Sequence, residues 1–564
     1  MTNAILTRLS GPAIREYYES GFWQRETIYQ IARRHAATQP NRPAVRDHFR
    51  GHSYQDLIAL ADRFAATLAQ AGLRPGDRVA VWLPNRIETV AILLACSRNR
   101  YICCPSLHRT HTTAEIVALV GQVRAKALIV EPGFGADGDR HPIIERAREM
   151  PSLCALLPLA PRIAEETTPS WLAAGDSVDD AAFSIGDPDS VLYLAFTSGT
   201  TGQPKGVMHS DNTLLANARA VATDWALDAR SVIYTLSPLS HNLGFGAMMT
   251  ALLIGGELVL HDIAGAASIV ERIRETGATY LVGVPTHATD ILRELEANPA
   301  LDLRQLRGFR ISGAPAPRRV VERLLRHGIT PQSGYGMTEA GSHHYTRPTD
   351  AAELIIDSSG RVCPGYEIKV WASEDPNSEV TARTIGQIGG RGASLMLGYF
   401  DDQEATESAF NREGWFMTGD LGWVDEQGYI RITGRKKDVI IRGGYNIYPA
   451  RIEALAMRHA AVEAAAALPV ADERLGEKVC VAFVRRKDHR MTPTELLNHL
   501  DAEGLSKFDM PEYVVEVDRM PVMASGKVLK RALVDQIQSG QLTLLPVRWT
   551  QNGVATHPVS RDTV

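Results

Sequence analysis

The chain has 564 residues, 45% of them apolar and 22% charged, with a formal net charge of −5. That length is too great for one hydrophobic core and predicts three or four domain-sized units of ordinary globular composition. The mild acidity gives no electrostatic ground for a nucleic-acid or anionic-membrane partner, no apolar run reaches the length of a membrane span, and the N-terminus lacks a signal-peptide core.

In the first half, apolar runs alternate with amphipathic patterns. Arg78–Leu83 reads as a strand, Ile87–Ser97 as a helix and Ala127–Val130 as the next strand. Val191–Phe196 is a short apolar run bounded by turn-formers, again a buried strand. The same grammar continues through strands at Val232–Thr235, Glu257–Leu260, Tyr280–Gly283 and Gly308–Ile311, with helices at Ala267–Glu275 and Thr286–Glu296. Such alternation predicts an α/β fold with parallel sheets covered by helices. From 353 to 433 short strands with Gly and Asp turns, among them Glu367–Trp371 and Gly428–Ile432, suit a small barrel-like subdomain. A compact α+β segment follows, with a helix at Pro449–Met457 and a strand at Val479–Val484. The tail beyond 545 carries few apolar residues and is expected to be poorly ordered.

Six cysteines (96, 103, 104, 154, 363 and 480) are too few and irregular for a disulfide framework. Cys103, Cys104, His108 and His111 offer four zinc-ligand types, but adjacent cysteines seldom share one metal and the spacing is not that of a finger. A structural segment is expected there.

The most informative stretch is Thr197-Ser-Gly-Thr-Thr-Gly-Gln-Pro-Lys205. A loop with hydroxyls, glycines and a lysine at the end of a strand can bring N–H groups, O–H groups and positive charge to phosphate oxygens. It lacks the Walker spacing. Four further segments follow in order: Tyr335-Gly-Met-Thr-Glu339, Thr418-Gly-Asp-Leu421, Gly434-Arg-Lys-Lys-Asp438 leading into Gly443-Gly-Tyr-Asn446, and Pro521-Val-Met-Ala-Ser-Gly-Lys527. Together the five resemble the motifs of the acyl-adenylate-forming superfamily, which holds acyl- and aryl-CoA synthetases, peptide-synthetase adenylation domains and luciferases. The resemblance covers residues 20–540.

The resemblance implies a large N-terminal adenylation domain (20–434) of two helix-covered sheets plus a small β-barrel subdomain. A hinge (435–438), a small mobile α+β domain (439–545) and a tail (546–564) would follow. It implies ATP and CoA as co-substrates, Mg²⁺ as cofactor and a cytoplasmic enzyme. The chemistry explains the motifs. A carboxylate resists nucleophilic attack because it is already negative, and adenylation gives it AMP as a leaving group. A site that gathers a carboxylate and a polyphosphate needs cations, N–H donors and a metal.

By the resemblance, Thr197, Ser198, Gly199, Thr200, Thr201, Gly202 and Lys205 cradle the phosphates. Gly313, Ala314 and Pro315 would face Tyr335 across the adenine, with Gly336 and Met337 beside it. Thr338 would contact the α-phosphate and Glu339 would hold Mg²⁺. Asp420 and Arg435 would hold the ribose, Asp420 being an acceptor-only carboxylate. Lys527 would be the adenylation lysine, a compact charge able to touch carboxylate and phosphate together. At a separation of about 4 Å such a charge pair is worth roughly 4 kcal/mol, about a thousandfold in rate. Lys437 would be the hinge, while Gly443 and Gly444 would line the path of the CoA thiol.

The acid pocket would be drawn from 241–247, 285–287, 312–314 and 334–343, with His241, Asn242, Phe245, Ser312, Gly334 and Gly336 foremost. Small residues at Gly334, Gly244, Gly246 and Ala247 leave room for an acid larger than acetate or propionate. His241-Asn242 and Tyr345-Thr-Arg look closest to aryl-acid AMP ligases and to cyclohexanecarboxylate or medium-chain acyl-CoA ligases. Ala247 stands where aryl ligases often use a serine, which disfavours a dihydroxylated ring. The expected activity is an acid–CoA ligase; the alternatives are loading of a separate carrier protein, a non-catalytic nucleotide-binding homologue and, remotely, a luciferase-like oxygenation. A serine hydrolase is excluded, since no Gly-x-Ser-x-Gly elbow occurs. Only 37 residues follow Lys527, too few for a fused carrier domain. Pro-x₄-Gly-Lys527 also fits the pattern that lysine acetyltransferases recognise, which would remove the charge.

Overall fold

A computed structural model describes residues 7, 9–161, 171–172, 186–198, 204–262, 268–314, 316–443, 445–522 and 527–548. Gly199, Thr200, Thr201, Gly202, Pro315, Gly444 and the tail beyond 548 lie outside the described residues, as does the side chain of Ser198. The chain divides into two compact units. The first comprises the residues up to Ala316 with Val320–Ile368 and Gly390–Phe416; the second holds Pro317–Arg319, Lys369–Gly389 and everything from Met417 onward.

Two sheets organise the first unit. One has seven strands, in the order Gly398–Tyr399, Pro204–Ser210, Val191–Ser198, Ile102–Cys104, Arg78–Trp82, Ala127–Val130 and Ala155–Pro158. From Val191–Ser198 to Ala155–Pro158 it is parallel, and the first two strands run antiparallel to their neighbours. The other has nine strands, with a parallel centre in the order Pro331–Met337, Gly308–Ile311, Tyr280–Gly283, Val232–Thr235, Glu257–Leu260 and Pro43–Arg46.

Side chains alternate between the faces, and both faces are covered. Val79 and Val81 join one core with helices Tyr54–Gln70 and Ile87–Asn99, while Ala80 and Trp82 join another with helix Thr113–Gln122. In the larger sheet Leu281, Phe309 and Ile311 pack with helix Pro285–Ala297, whereas Tyr280 and Val282 face helices Asp211–Asp224 and Asn242–Ile254. Burial on both faces is why these strands read as continuous apolar runs. The segment around Cys103 and Cys104 is a buried strand that leads to a helix N-capped by Thr112, as the sequence led us to expect. Among the described residues no helix is long and apolar enough to cross a membrane.

Strands Tyr366–Trp371, Gly386–Gly392, Phe416–Val424 and Ile430–Arg435 form a four-stranded sheet in that order, within the stretch expected to be barrel-like. The C-terminal part of the second unit is built on Gly476–Arg485, which pairs antiparallel with Val462–Asp472 and parallel with Tyr513–Glu516. Val479, Val481 and Phe483 face one core with helices Pro449–Ala456 and Pro493–Ala502, while Cys480 and Ala482 face a second with Leu533.

One charged cluster is buried at the start of helix Ile87–Asn99. Arg86, 1% exposed, donates to Glu88 at 2.8 Å and to Glu131 at 2.7 Å, and Arg50 also pairs with Glu88. Burial pushes the Glu88 carboxyl up, but the hydrogen bond and charge of Arg86, then those of Arg50, outweigh it and hold the group at about 2. Removing one partner strands an uncompensated charge in the interior, which costs more than the pair contributes. Arg86→Met should therefore lower the unfolding free energy by about 3–5 kcal/mol in urea titrations followed by tryptophan fluorescence. A loss below about 1 kcal/mol would mean water reaches the cluster.

Candidate active site

Local structure first fixes the phosphate-loop residues. Val191–Ser198 and Pro204–Ser210 form an antiparallel pair with Thr197 opposite Lys205 and Ser198 opposite Pro204. The described ends of the glycine-rich stretch are thus paired strands, and Lys205 lies on the return strand. Gly398–Tyr399 adds to the free edge of that strand, Tyr399 opposite Val207. Lys205 Nζ lies 4.9 Å from the centre of the Tyr399 ring, a cation–π contact.

Near the end of the same return strand, His209 reaches the Tyr335–Glu339 motif. Its Nε2 donates to the Thr338 carbonyl at 2.7 Å, since a carbonyl can only accept. Glu339 is held by its own neighbours: the Tyr399 hydroxyl donates to Oε1 at 3.0 Å, and the Met396 N–H donates to the Glu339 carbonyl at 2.7 Å. Burial, then the Glu339 carboxylate, push the Tyr399 hydroxyl well above its ordinary pKa, so it remains a donor. Tyr335 is buried edge-on against His343, with ring centres 5.0 Å apart. Gly336 is glycine because a Cβ there would stand 2.1 Å from the Gly341 carbonyl oxygen. Gly313 adopts a φ of +90°, and Ser312 Oγ donates to the Gly334 carbonyl at 3.1 Å.

A small cleft, about 20 Å³ in volume, lies beside this segment. Asn242, Phe245 and Gly246 line it from helix Asn242–Ile254, His209, Thr213 and Asn217 from the helix and strand opposite, and Arg310 from the larger sheet. Gly341, Ser342 and Ser394 complete its polar side. Of the residues expected around the acid, Asn242 and Phe245 line this cleft, and His241, Ser312, Gly334 and Gly336 are not among its lining residues. The small residues divide by cause. Gly246 has open space where a Cβ would be, whereas at Gly244 a Cβ would stand 2.3 Å from the Pro238 carbonyl oxygen, and Ala247 is packed in the core. Asn242 spends its amide on the Met337 carbonyl at 3.3 Å.

His241 caps the N-terminus of that helix without a side-chain cap bond and stacks on His108 with ring centres 4.0 Å apart. Its Nε2 is buried without a hydrogen-bond partner. Burial, then His111, hold its pKa down to about 4, so the ring is neutral near pH 7.

The second unit carries the remaining motifs. Asp420 and Arg435 face each other across an antiparallel pair, Nε to Oδ1 at 3.3 Å. Lys437 sits in the 3₁₀ turn Lys436–Asp438. Gly443 has a φ of +59° in the tight turn between Ile440–Arg442 and Tyr445–Ile447, so backbone geometry alone already requires glycine there. Val522 bridges Val528 and the Leu529 N–H donates to the Pro521 carbonyl at 2.7 Å, and Lys527 directly precedes this paired segment.

Comparison with known proteins agrees with this geometry. Residues 32–400 match the family described as AMP-binding enzyme, and residues 451–527 match the AMP-binding enzyme C-terminal domain. The chain belongs to the AMP-binding enzyme family. It is 32% identical over 520 residues to the medium-chain fatty-acid–CoA ligase of Escherichia coli (strain K12), covering 91% of each chain. It is also 32% identical to feruloyl-CoA synthase of an Amycolatopsis species, covering 88% of this chain and 96% of that one. ATP-bound MatB from Rhodopseudomonas palustris superposes with a TM-score of 0.81 at 28% identity, over 90% of this chain and 99% of its own. This AMP-binding enzyme is a ligase of the AMP-forming acyl-CoA synthetase type.

His209, Tyr399 and Arg310 were missed by sequence reasoning. His209 and Tyr399 carry no motif of their own, and only the strand register brings them to Thr338 and Glu339. An arginine in the otherwise apolar strand Gly308–Ile311 was the one visible signal for Arg310.

The buried histidines give the enzyme a definite response to acid. His209, His241 and His287 are each held to about 4 and His343 to about 3, in every case first by burial. Below pH 6.5 the unfolded chain takes up protons that the folded chain refuses until about pH 4. Stability is therefore full above 6.5 and is lost as the pH falls through that window. His209 alone should account for on the order of 3 kcal/mol of this loss. Unfolding midpoints measured from pH 7.5 to 4 should fall, and His209→Asn should flatten the fall; an unchanged slope in the variant would place the burden elsewhere.

Proposed function

We propose that this enzyme activates a medium-sized acid (cyclic, aryl or medium-chain) with ATP and transfers it to CoA. The observation that carries the reading is the match of residues 32–400 to the AMP-binding enzyme family, together with the Thr338–Glu339 segment that the Pro204–Ser210 strand holds in place beside a small cleft. In the first step a carboxylate oxygen bonds the α-phosphorus of ATP and pyrophosphate leaves. In the second the CoA thiol, having lost its proton, bonds the acyl carbon and AMP leaves. E. coli medium-chain fatty-acid–CoA ligase and feruloyl-CoA synthase bracket the range of acids.

In this reading Thr197–Gly202 and Lys205 hold the phosphates, Tyr335 lies along adenine, Asp420 and Arg435 hold the ribose, and Lys527 draws the carboxylate and α-phosphate together. Glu339 fits a Mg²⁺ anchor, since that ion needs only one or two protein carboxylates beside the phosphates; when bound it neutralises phosphate charge. Residues 20–434 form the adenylation domain. The C-terminal domain (439–545) turns about Lys437 between the steps, bringing the Gly443–Gly444 loop to the thiol path. His241 packs beside the reacting carboxylate as a neutral ring. Free CoA is the simpler acceptor, a holo-carrier protein the second, and the cytoplasm the expected compartment.

Lys527→Ala should reduce acid-dependent pyrophosphate exchange by about a thousandfold while synthetic acyl-AMP plus CoA still yields thioester. Exchange within threefold of wild type would remove Lys527 from the first step. Gly444→Leu should do the reverse, keeping exchange and losing thioester; equal loss of both would refute a separate thiol path. Stoichiometric acetylation of Lys527 by a lysine acetyltransferase should mimic Lys527→Ala, because it removes the charge and lengthens the chain.

A further inference from the structure

The cleft contains a cation with no counter-charge among the described residues. Arg310 lies between Phe309 and Ile311, whose side chains pack on the opposite face, so its own side chain turns toward helices Asp211–Asp224 and Asn242–Ile254. It is 4% exposed, its Nε has no hydrogen-bond partner, and it lines the cleft. Its electrostatic neighbours are Tyr280, Tyr345 and Cys363, all neutral near pH 7 because burial raises each of them. Asp224, the nearby carboxylate, is engaged by Arg347 at 2.9 Å and by the Tyr345 hydroxyl at 3.0 Å.

An unpaired guanidinium inside a protein carries a heavy desolvation cost, and a pocket for a plain hydrocarbon tail gains nothing from it. The neighbours in the cleft are also polar: Asn217, Ser342 and His209. Arg310 stands two residues before Ser312, about 7 Å down the strand from the end where Ser312 bonds the Gly334 carbonyl. It therefore serves the part of the cleft remote from the reacting carboxylate. We propose that the acid bears a second anionic group, a distal carboxylate, which Arg310 receives, so that the enzyme's substrates are dicarboxylic acids activated at one end. The guanidinium fork suits a carboxylate, and the pair is completed only when the ligand is bound.

This inference rests on the cleft being the acid pocket of the proposed ligase, and the test separates the two. Pyrophosphate release and thioester formation are measured for matched pairs that differ only in the distal carboxylate: adipate against hexanoate, suberate against octanoate, and trans-1,4-cyclohexanedicarboxylate against cyclohexanecarboxylate. Wild type should favour the diacid of at least one pair by 30-fold or more in kcat/KM. In Arg310→Met the diacid-to-monoacid ratio of that pair should fall at least 100-fold, and Arg310→Lys should restore part of it. The ligand-free Arg310→Met protein should melt no lower than wild type, because an unpaired buried charge has been removed; a purely structural arginine would lower the melting temperature instead. Preference for the monoacid in every pair overturns the inference while leaving the ligase reading intact, and needs no variant. If no acid releases pyrophosphate the ligase reading fails, and calorimetry of the same pairs then decides: tighter diacid binding lost in Arg310→Met upholds the anion site, and equal binding overturns it.

Discussion

The site depends on the register of one hairpin. Because Val191–Ser198 and Pro204–Ser210 pair with Thr197 opposite Lys205, the return strand presents Lys205 near its start and His209 near its end. His209 then fixes the Thr338 carbonyl, while Tyr399, paired to the same strand at Val207, fixes the Glu339 carboxylate. A slip of one residue would turn these side chains to the opposite face of the sheet. The strands that flank the glycine-rich stretch and the Thr338–Glu339 segment are thus positioned through shared pairing as well as through the ligand they are proposed to share.

Charge inside the first unit is handled in two contrasting ways. Arg86 is surrounded by carboxylates that repay its burial, with Glu88 and Glu131 both within 3 Å. The histidines avoid the problem by staying neutral, since burial lowers their pKa values below any physiological pH. Arg310 has neither solution, as an arginine cannot shed its proton at such a pH and no carboxylate among the described residues faces it. A ligand anion would supply the missing partner, which makes the cleft asymmetric: hydrogen-bonding and cationic on one side, apolar along Phe245 and Met249 on the other.

Glycines illustrate why one residue type can have several causes. Gly336 permits a close crossing of two strands, Gly443 supplies a positive φ in a tight turn, and Gly246 leaves space in the cleft. From the sequence all three look like room for a ligand. Their surroundings separate backbone geometry, packing and cavity, because only coordinates show what a Cβ would meet.

The sequence by itself determined the α/β class, the family resemblance and most sheet strands. Val232–Thr235, Glu257–Leu260, Tyr280–Gly283 and Gly308–Ile311 form where their short apolar runs lie, because strands buried on both faces need no partner pattern to be legible. Helix Asn242–Ile254 was illegible for a related reason: buried on nearly all sides, it lacks the polar stripe that reveals a helical period. Only the tertiary structure decided that Thr197 and Lys205 stand opposite each other, that His209 and Tyr399 hold the Thr338–Glu339 segment, and that an arginine faces the cleft. Those contacts join residues more than fifty positions apart, and neither propensity nor local spacing encodes which strands become neighbours.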